Sequence, residues 1–224
     1  MLFKCKAALA NGMGGFSIEE IEIDEPEADE VIVQIKAAGL CHTDYDSLKW
    51  GKQLVMGHEG AGVVVKTGNA VAEVSSGDRV LLNWATPCGH CFQCLEGNQH
   101  ICENNSPVVA GNNGYSGGHA HLSGTKWKGE AVERSFNLGT LSEYAIVKAT
   151  AVVKNTSSQL SFEAASIIGC GIMTGYGSVV NAAKVKPGSS VVVLGTGGVG
   201  LSVVQGARIS GATRIIAIDI NQQQ

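Results

Sequence analysis

Three short apolar runs organise the first half of the chain. Val31-Ile-Val-Gln-Ile-Lys36, Ala61-Gly-Val-Val-Val-Lys66 and Asp78-Arg-Val-Leu-Leu82 are rich in β-branched residues and are bounded by Gly, Asp or Asn, the composition of strands between turns. Strands recurring this often, with no long helical period between them, predict an antiparallel barrel or sandwich over the first 150 residues. Just before the first of these runs, Glu22 to Glu30 carries six carboxylates in nine residues around Pro26. That stretch reads as a solvated turn. The texture changes near residue 160. Ser161 is placed to cap a short helix through Phe162, Ala165 and Ile168, which Gly169 ends. Residues 174–184 are helix-compatible, and Lys186-Pro-Gly-Ser189 is a turn. Val191 to Leu194 then reads as a strand buried on both faces. A helical stripe at 199, 203, 204 and 207 is stopped by Gly211, and Arg214 to Ile218 forms a second buried strand. This is one β-α-β unit.

Composition narrows the classes of function. At about 150 residues per domain, 224 residues make one large domain or two small ones. Sixteen Lys and Arg against twenty Asp and Glu leave a net charge of -4. No basic face for nucleic acid or for docking on an anionic membrane is expected. No apolar run approaches the roughly 18 residues of a spanning helix. Met1 to Gly15 lacks the apolar stretch of a signal peptide, so the chain is expected to be soluble and cytoplasmic. Thirty glycines spread without period predict many turns and close backbone approaches.

Seven cysteines, an odd number without a leader peptide, make a poor disulfide framework. Four of them, Cys88, Cys91, Cys94 and Cys102, fall within fifteen residues at x2, x2, x7 spacing. Four thiolates close a tetrahedral shell with no open position, which is a structural metal site. An iron–sulfur cluster is the competing reading, but the bacterial run has three residues before its last Cys and a Pro after it. Here there are seven, and Glu103 follows. That favours zinc.

A second candidate centre is scattered. Cys41-His-Thr-Asp44 and Gly57-His-Glu-Gly60 each put a good zinc ligand beside a carboxylate, and Cys170 lies between Gly169 and Gly171. Three protein ligands would leave a fourth position for water or substrate. Taken singly, each has a bland alternative: a buried apolar cysteine or a surface His-Glu pair. Gly195-Thr-Gly-Gly-Val-Gly200 follows a predicted strand and opens a helix, and Asp219 comes nineteen residues after Gly200. That context fits a dinucleotide site. Gly195 makes the tight turn, Gly197 and Gly198 admit the pyrophosphate, and Gly200 allows close packing of helix and strand. Asp219 would accept from the ribose hydroxyls and repel a 2′-phosphate, favouring NAD over NADP.

In this order, these motifs resemble the zinc-dependent medium-chain alcohol dehydrogenases, most closely the glutathione-dependent formaldehyde and aryl-alcohol branches. The resemblance implies a mixed fold. A β-rich GroES-like catalytic domain would span 1–170, with a structural-zinc lobe at about 84–105. The first β-α-β unit of a Rossmann domain would follow over 171–224. It implies two zinc ions per chain, one held by Cys41, His58 and Cys170 and the other by the four clustered cysteines. Asp44 and Glu59 would orient those ligands from outside. Thr43 would take the proton of the alcohol, His42 would lie near the coenzyme pyrophosphate, and Thr174 and Val199 would line the nicotinamide. The implied reaction is reversible oxidation of a primary or aryl alcohol, with zinc as Lewis acid and hydride transfer to NAD. The partner is a small alcohol or aldehyde, and nucleic acid and membrane are not expected.

Several departures from the family pattern bear on these expectations. Seventeen positions separate Cys41 from His58, fewer than in the glutathione-dependent branch, and no Arg follows Cys102 until Arg134. Both count against an S-(hydroxymethyl)glutathione substrate. Asp46 occupies the position where many relatives carry a relay His. His119 and His121 match no family site and read as loop residues. The chain supplies two of the roughly six strands of a nucleotide domain. It therefore reads as a C-terminally truncated form without the usual homo-oligomer edge, expected to bind zinc with little or no dehydrogenase activity. A zinc-stabilised binding module without catalysis is the alternative.

Overall fold

A computed structural model describes residues 3–106 and 124–221. They form two compact units, Met1–Ile167 and Ile168–Gln224. His119 and His121 lie outside the described residues.

The first unit is β-rich, as its apolar runs predict. Its strands are β1 (Phe3–Ala10), β2 (Phe16–Ile23), β3 (Glu30–Ala38), β4 (Leu54–Val55), β5 (Gly60–Thr67) and β6 (Arg79–Leu82), followed by β7 (Thr125–Trp127), β8 (Glu130–Ala131), β9 (Glu133–Arg134), β10 (Tyr144–Lys148) and β11 (Val152–Lys154). One sheet runs β8-β7-β2-β1-β4-β9 and the other β10-β3-β5-β6-β11. All pairs are antiparallel except β4–β9.

Strand alternation explains why both faces of the central strands are apolar. On β3, Val31 and Val33 enter one core with Val64, Val80, Leu82 and Val147. Ile32 points the other way, into a second core with Leu9, Ile21, Ile23, Val55 and Ile146. The paired strand β10 does the same, sending Ala145 and Val147 to the first core and Ile146 to the second. A period of two thus lets two strands serve two layers. The β3–β5 pair also depends on close backbone approach. A Cβ on Gly62 would lie 2.1 Å from the Gln34 carbonyl oxygen.

The acidic stretch is a turn between β2 and β3, but it is not wholly solvated. Its side chains pair with lysines: Asp24 with Lys126, Glu25 with Lys66, and Glu27 and Asp29 with Lys148. Glu30 is only 1% exposed and accepts from the Glu27 N–H at 2.9 Å. The buried Arg134 guanidinium donates to Thr125 Oγ1 at 2.9 Å; burial pushes its pKa down to about 10, and the Glu30 charge opposes that shift.

The first unit also holds helices α1 (His42–Ser47), α2 (Phe92–Leu95) and α3 (Phe162–Ser166). Ser161 caps α3, its side chain accepting from the Ala164 N–H, as the serine before an apolar helical stripe predicts.

In the second unit, α4 (Gly171–Gly177) starts earlier than the sequence suggests and passes into a wider π turn over Ser178–Ala182. Parallel strands β12 (Ser190–Leu194) and β13 (Arg214–Ile218) flank α5 (Gly198–Ile209). The expected burial of these strands on both faces is not found. The register aligns Val192 with Ile216 and Leu194 with Ile218, and all four are exposed, Val192 by 57% and Leu194 by 79%. With two strands and one helix among the described residues of this unit's sheet, only one face is covered. The stripe on α5 is also displaced. Its buried positions are Ser202, Gly206 and Ala207 rather than Val199, because α4 approaches closely: a Cβ on Gly175 would sit 2.5 Å from Ser202 Cβ. Among the described residues, no helix is long and apolar enough to cross a membrane.

Gly62→Ala is expected to lower the stability of the first unit by about 1–3 kcal/mol, the usual range for overpacking. Urea denaturation followed by tryptophan fluorescence reads this directly. A midpoint equal to the parent's would show that β3 and β5 can separate to admit the methyl group.

Candidate metal centres

The four clustered cysteines are gathered by local turns. Gly89 and Gly97 take φ of +79° and +83°, a left-handed backbone that glycine adopts without strain. Cys91 caps α2, its sulfur accepting from the Cys94 N–H. The Sγ atoms of Cys88, Cys91, Cys94 and Cys102 all lie within 4.8 Å of one another. Cys88 and Cys94 are 4.0 Å apart and Cys91 and Cys102 are 3.9 Å apart. Four sulfurs at about 2.3 Å from one zinc form a tetrahedron with edges of about 3.8 Å, so this donor set fits that ion. All four are free thiols. Backbone N–H groups point inward: that of Cys91 onto Cys88 Sγ at 3.3 Å, and those of Cys88 and Asn105 onto Cys102 Sγ, each at 3.4 Å. Burial raises the Cys88 thiol, but hydrogen bonds from the His90 and Cys91 backbone and the Asn104 side chain bring it down to about 6. Cys94 moves the other way, to about 11, through burial and the facing thiols of Cys91 and Cys102. A metal bound by these sulfurs would displace the thiol protons.

A second constellation forms where α1 begins and where the β4–β5 loop enters β5. Ligand atoms of Cys41, His58 and Glu59 lie within 4.8 Å of one another. Asp44 links the two segments. One oxygen accepts from the Cys41 N–H at 2.9 Å, and the other lies 2.9 Å from His58 Nδ1. His58 is 1% exposed and Asp44 is buried with it. The carboxylate fixes the proton on Nδ1 and leaves the Nε2 lone pair for a metal. Burial raises the Cys41 thiol, yet hydrogen bonds from the Thr43 backbone and hydroxyl and from His58 bring it below its ordinary value. The Thr43 hydroxyl is 3.7 Å from Cys41 Sγ. Glu59 lies closer in than its expected outer place, folded against Gly39, where a Cβ would be 1.9 Å from Oε2. His42, Asp46 and Tyr45 are exposed along α1, with the His42 and Tyr45 rings 6.0 Å apart.

Sequence reasoning missed the aromatic wall beside His58. The Phe136 ring centroid lies 4.8 Å from that of His58, 5.4 Å from Trp84 and 6.0 Å from Trp50. Phe136 reaches this place in a left-handed conformation, φ 50° and ψ 33°, strain of about 1–3 kcal/mol that its surroundings must impose. Asn137, also left-handed at φ 62°, is the local signal; nothing marks Phe136 itself.

The remaining site residues lie in the second unit. Cys170 is half-buried and precedes α4, and Thr174 is exposed on that helix. Gly195 has φ of +91° and Gly197 caps α5. A Cβ on Gly200 would be 1.9 Å from the Gly195 carbonyl oxygen, whereas Cβ atoms on Gly197 or Gly198 would meet nothing within 4 Å. The turn is thus closed toward its strand and open toward solvent, where Val199 is also exposed. Asp219 accepts from the Asn221 N–H at 2.8 Å on one oxygen, and from the Thr196 N–H and hydroxyl at 2.6 and 3.1 Å on the other. These bonds hold its carboxyl below the usual range.

Residues 27–157 match the model of the alcohol dehydrogenase GroES-like domain. The chain belongs to this family. It is 39% identical to alcohol dehydrogenase 6 of Peromyscus maniculatus, across 100% of this chain and 60% of that protein. In structure, the GroES-like chain is similar to an alcohol dehydrogenase zinc-binding domain protein from Burkholderia ambifaria (TM-score 0.87, 36% identity, 100% of this chain and 60% of that one). It is also similar to benzyl alcohol dehydrogenase from Acinetobacter calcoaceticus (TM-score 0.84, 33% identity, 99% and 60%). The chain therefore spans about 60% of the length of these relatives.

Asp44→Ala should destabilise the metal-free GroES-like unit by about 1–3 kcal/mol, the penalty for leaving a buried polar group such as His58 Nδ1 unpaired. Chemical denaturation with a chelator present isolates this from any ion. An unchanged midpoint would mean that the carboxylate does not hold the two segments together.

Proposed function

We propose that this chain is the metal-binding portion of a zinc-dependent dehydrogenase that interconverts a primary or aryl alcohol and its aldehyde, with hydride transfer to NAD. The observation that carries this reading is the buried Asp44 carboxylate, which aims His58 while fixing the backbone of Cys41. In this reading Cys41, His58 and Cys170 hold the reactive zinc, and Cys88, Cys91, Cys94 and Cys102 hold a second, structural one. A bound zinc supplies Lewis acidity to the alcohol oxygen. The protein's own groups do the rest. Thr43 accepts the hydroxyl proton and passes it outward along α1, on whose exposed face Asp46 stands. Phe136 packs against the ring of His58 and is backed by Trp84 and Trp50, an aromatic wall that suits an aromatic ring stacked beside the metal. Bound NAD would supply the hydride acceptor for the alcohol carbon, and Thr174 and Val199 would line its nicotinamide. The open backbone at Gly197 and Gly198 receives the pyrophosphate at the start of α5, and His42 contributes a donor from α1. Asp219 takes the adenosine ribose. The cytoplasm, which keeps thiols reduced, suits seven cysteines with no disulfide among the described residues.

Metal analysis of the purified chain tests the two-centre reading. Two colourless zinc ions per chain are expected, one lost on Cys41→Ala. Loss of the other on Cys91→Ser should come with unfolding of the lobe, because structural zinc contributes roughly 10–16 kcal/mol of apparent binding energy in small metal domains. A brown protein with visible charge-transfer bands would replace zinc by an iron–sulfur cluster.

The reaction itself is tested in a chimera that continues residues 1–224 with the corresponding C-terminal portion of the Acinetobacter relative. NADH formation from benzyl alcohol should be saturable and should fall at least tenfold on Thr43→Val. In the same chimera Asp219→Ser should shift preference toward NADP by about 1–3 kcal/mol, a factor of about five to over a hundred. An unchanged coenzyme ratio would remove Asp219 from the ribose site.

A further inference from the structure

The four lobe sulfurs are not equally sheltered. Cys91, Cys94 and Cys102 are buried, whereas Cys88 is only half-buried. On its side of the lobe stand two residues with no assigned role. Asn104 Nδ2 is 3.2 Å from Cys88 Sγ and 3.5 Å from His90 Nε2, while His90 Nδ1 is 2.9 Å from the Cys88 carbonyl oxygen. The hydrogens can be arranged in one consistent way. The His90 Nδ1–H donates to the carbonyl, which leaves Nε2 as an acceptor. Asn104 then spends one amide N–H on Nε2 and the other on the sulfur. The flipped amide would turn its oxygen toward both the thiolate and the imidazole lone pair, so the network itself selects the orientation.

We propose that Asn104 is a positioning residue for the Cys88 thiolate, closing a ring of hydrogen bonds with His90 that clamps the main chain and sulfur of Cys88 and covers the lobe's one accessible ligand. This rests on the reading of the lobe as a zinc site. Among the described residues, Asn104 is the sole side-chain N–H donor to a lobe sulfur. The other N–H···S contacts come from backbone that the turns fix in any variant. Removing the amide exposes Cys88 and restores charge to its sulfur, making it the point at which the site opens.

Iodoacetamide alkylation of the zinc-loaded chain, with initial rates resolved for each cysteine by peptide mass spectrometry, separates this from general loosening. In Asn104→Leu, the Cys88 rate should rise about tenfold, the low end for an outer partner of a metal ligand, with Cys91 and Cys102 little changed. Asn104→Gln, which keeps the donor, should recover part of the protection. His90→Leu should have a smaller effect than Asn104→Leu, because its contact with the amide is long. An unchanged Cys88 rate in Asn104→Leu, or an equal rise at all four cysteines, would overturn the proposal. If the parent chain is alkylated equally fast with and without EDTA, the zinc reading of the lobe fails, and the proposal with it.

Discussion

The buried carboxylate of Asp44 joins two segments that are separated along the chain: the backbone of Cys41, where α1 begins, and the imidazole of His58, where the loop turns into β5. A charged group this deeply enclosed is tolerated only when its oxygens are hydrogen-bonded. The arrangement works in both directions. The partners stabilise the carboxylate, and the carboxylate removes the freedom of both partners. What surrounds it follows. Ser47 closes onto the Asp44 carbonyl at 2.7 Å, and Gly39 leaves room for Glu59. The two-layered β core beneath supplies the rigid floor on which such a link can be held.

The lobe reaches a comparable result by different means. It has few apolar side chains, and its packed centre is Cys91, Cys94 and Cys102. Its order comes from tight turns that direct backbone N–H groups at sulfur. Hydrogen bonds from the backbone and Asn104 hold Cys88 below an ordinary thiol, while burial raises Cys94 above it. The lobe is ordered by N–H groups turned onto sulfur, where the rest of the unit depends on buried area.

The elements that were legible in the sequence are those set by local pattern. The β-branched runs became β3, β5 and β6, Ser161 capped α3, and the glycine-rich turn opened α5 after a strand, because each depends on residues a few positions apart. The clustered cysteines were legible as a group for the same reason. Cys41 and His58 were not readable as a pair without the family resemblance, since their meeting depends on the fold that carries α1 and the β4–β5 loop. Phe136 left no trace, because its backbone conformation is imposed by tertiary contacts against its own preference. The exposed Val192, Leu194, Ile216 and Ile218 misled in the opposite sense. An apolar run states what a strand can bury, whereas burial itself depends on which neighbours are present.

Phe136 also sets a limit on how this molecule can be improved. A residue with no Cβ would relax the left-handed backbone there and recover the strain of about 1–3 kcal/mol. The same change would delete the ring that links His58 to Trp84 and Trp50. Backbone ease and aromatic packing thus pull in opposite directions at one position. A glycine there would open the space beside His58, so the strained backbone is what keeps the aromatic wall in place.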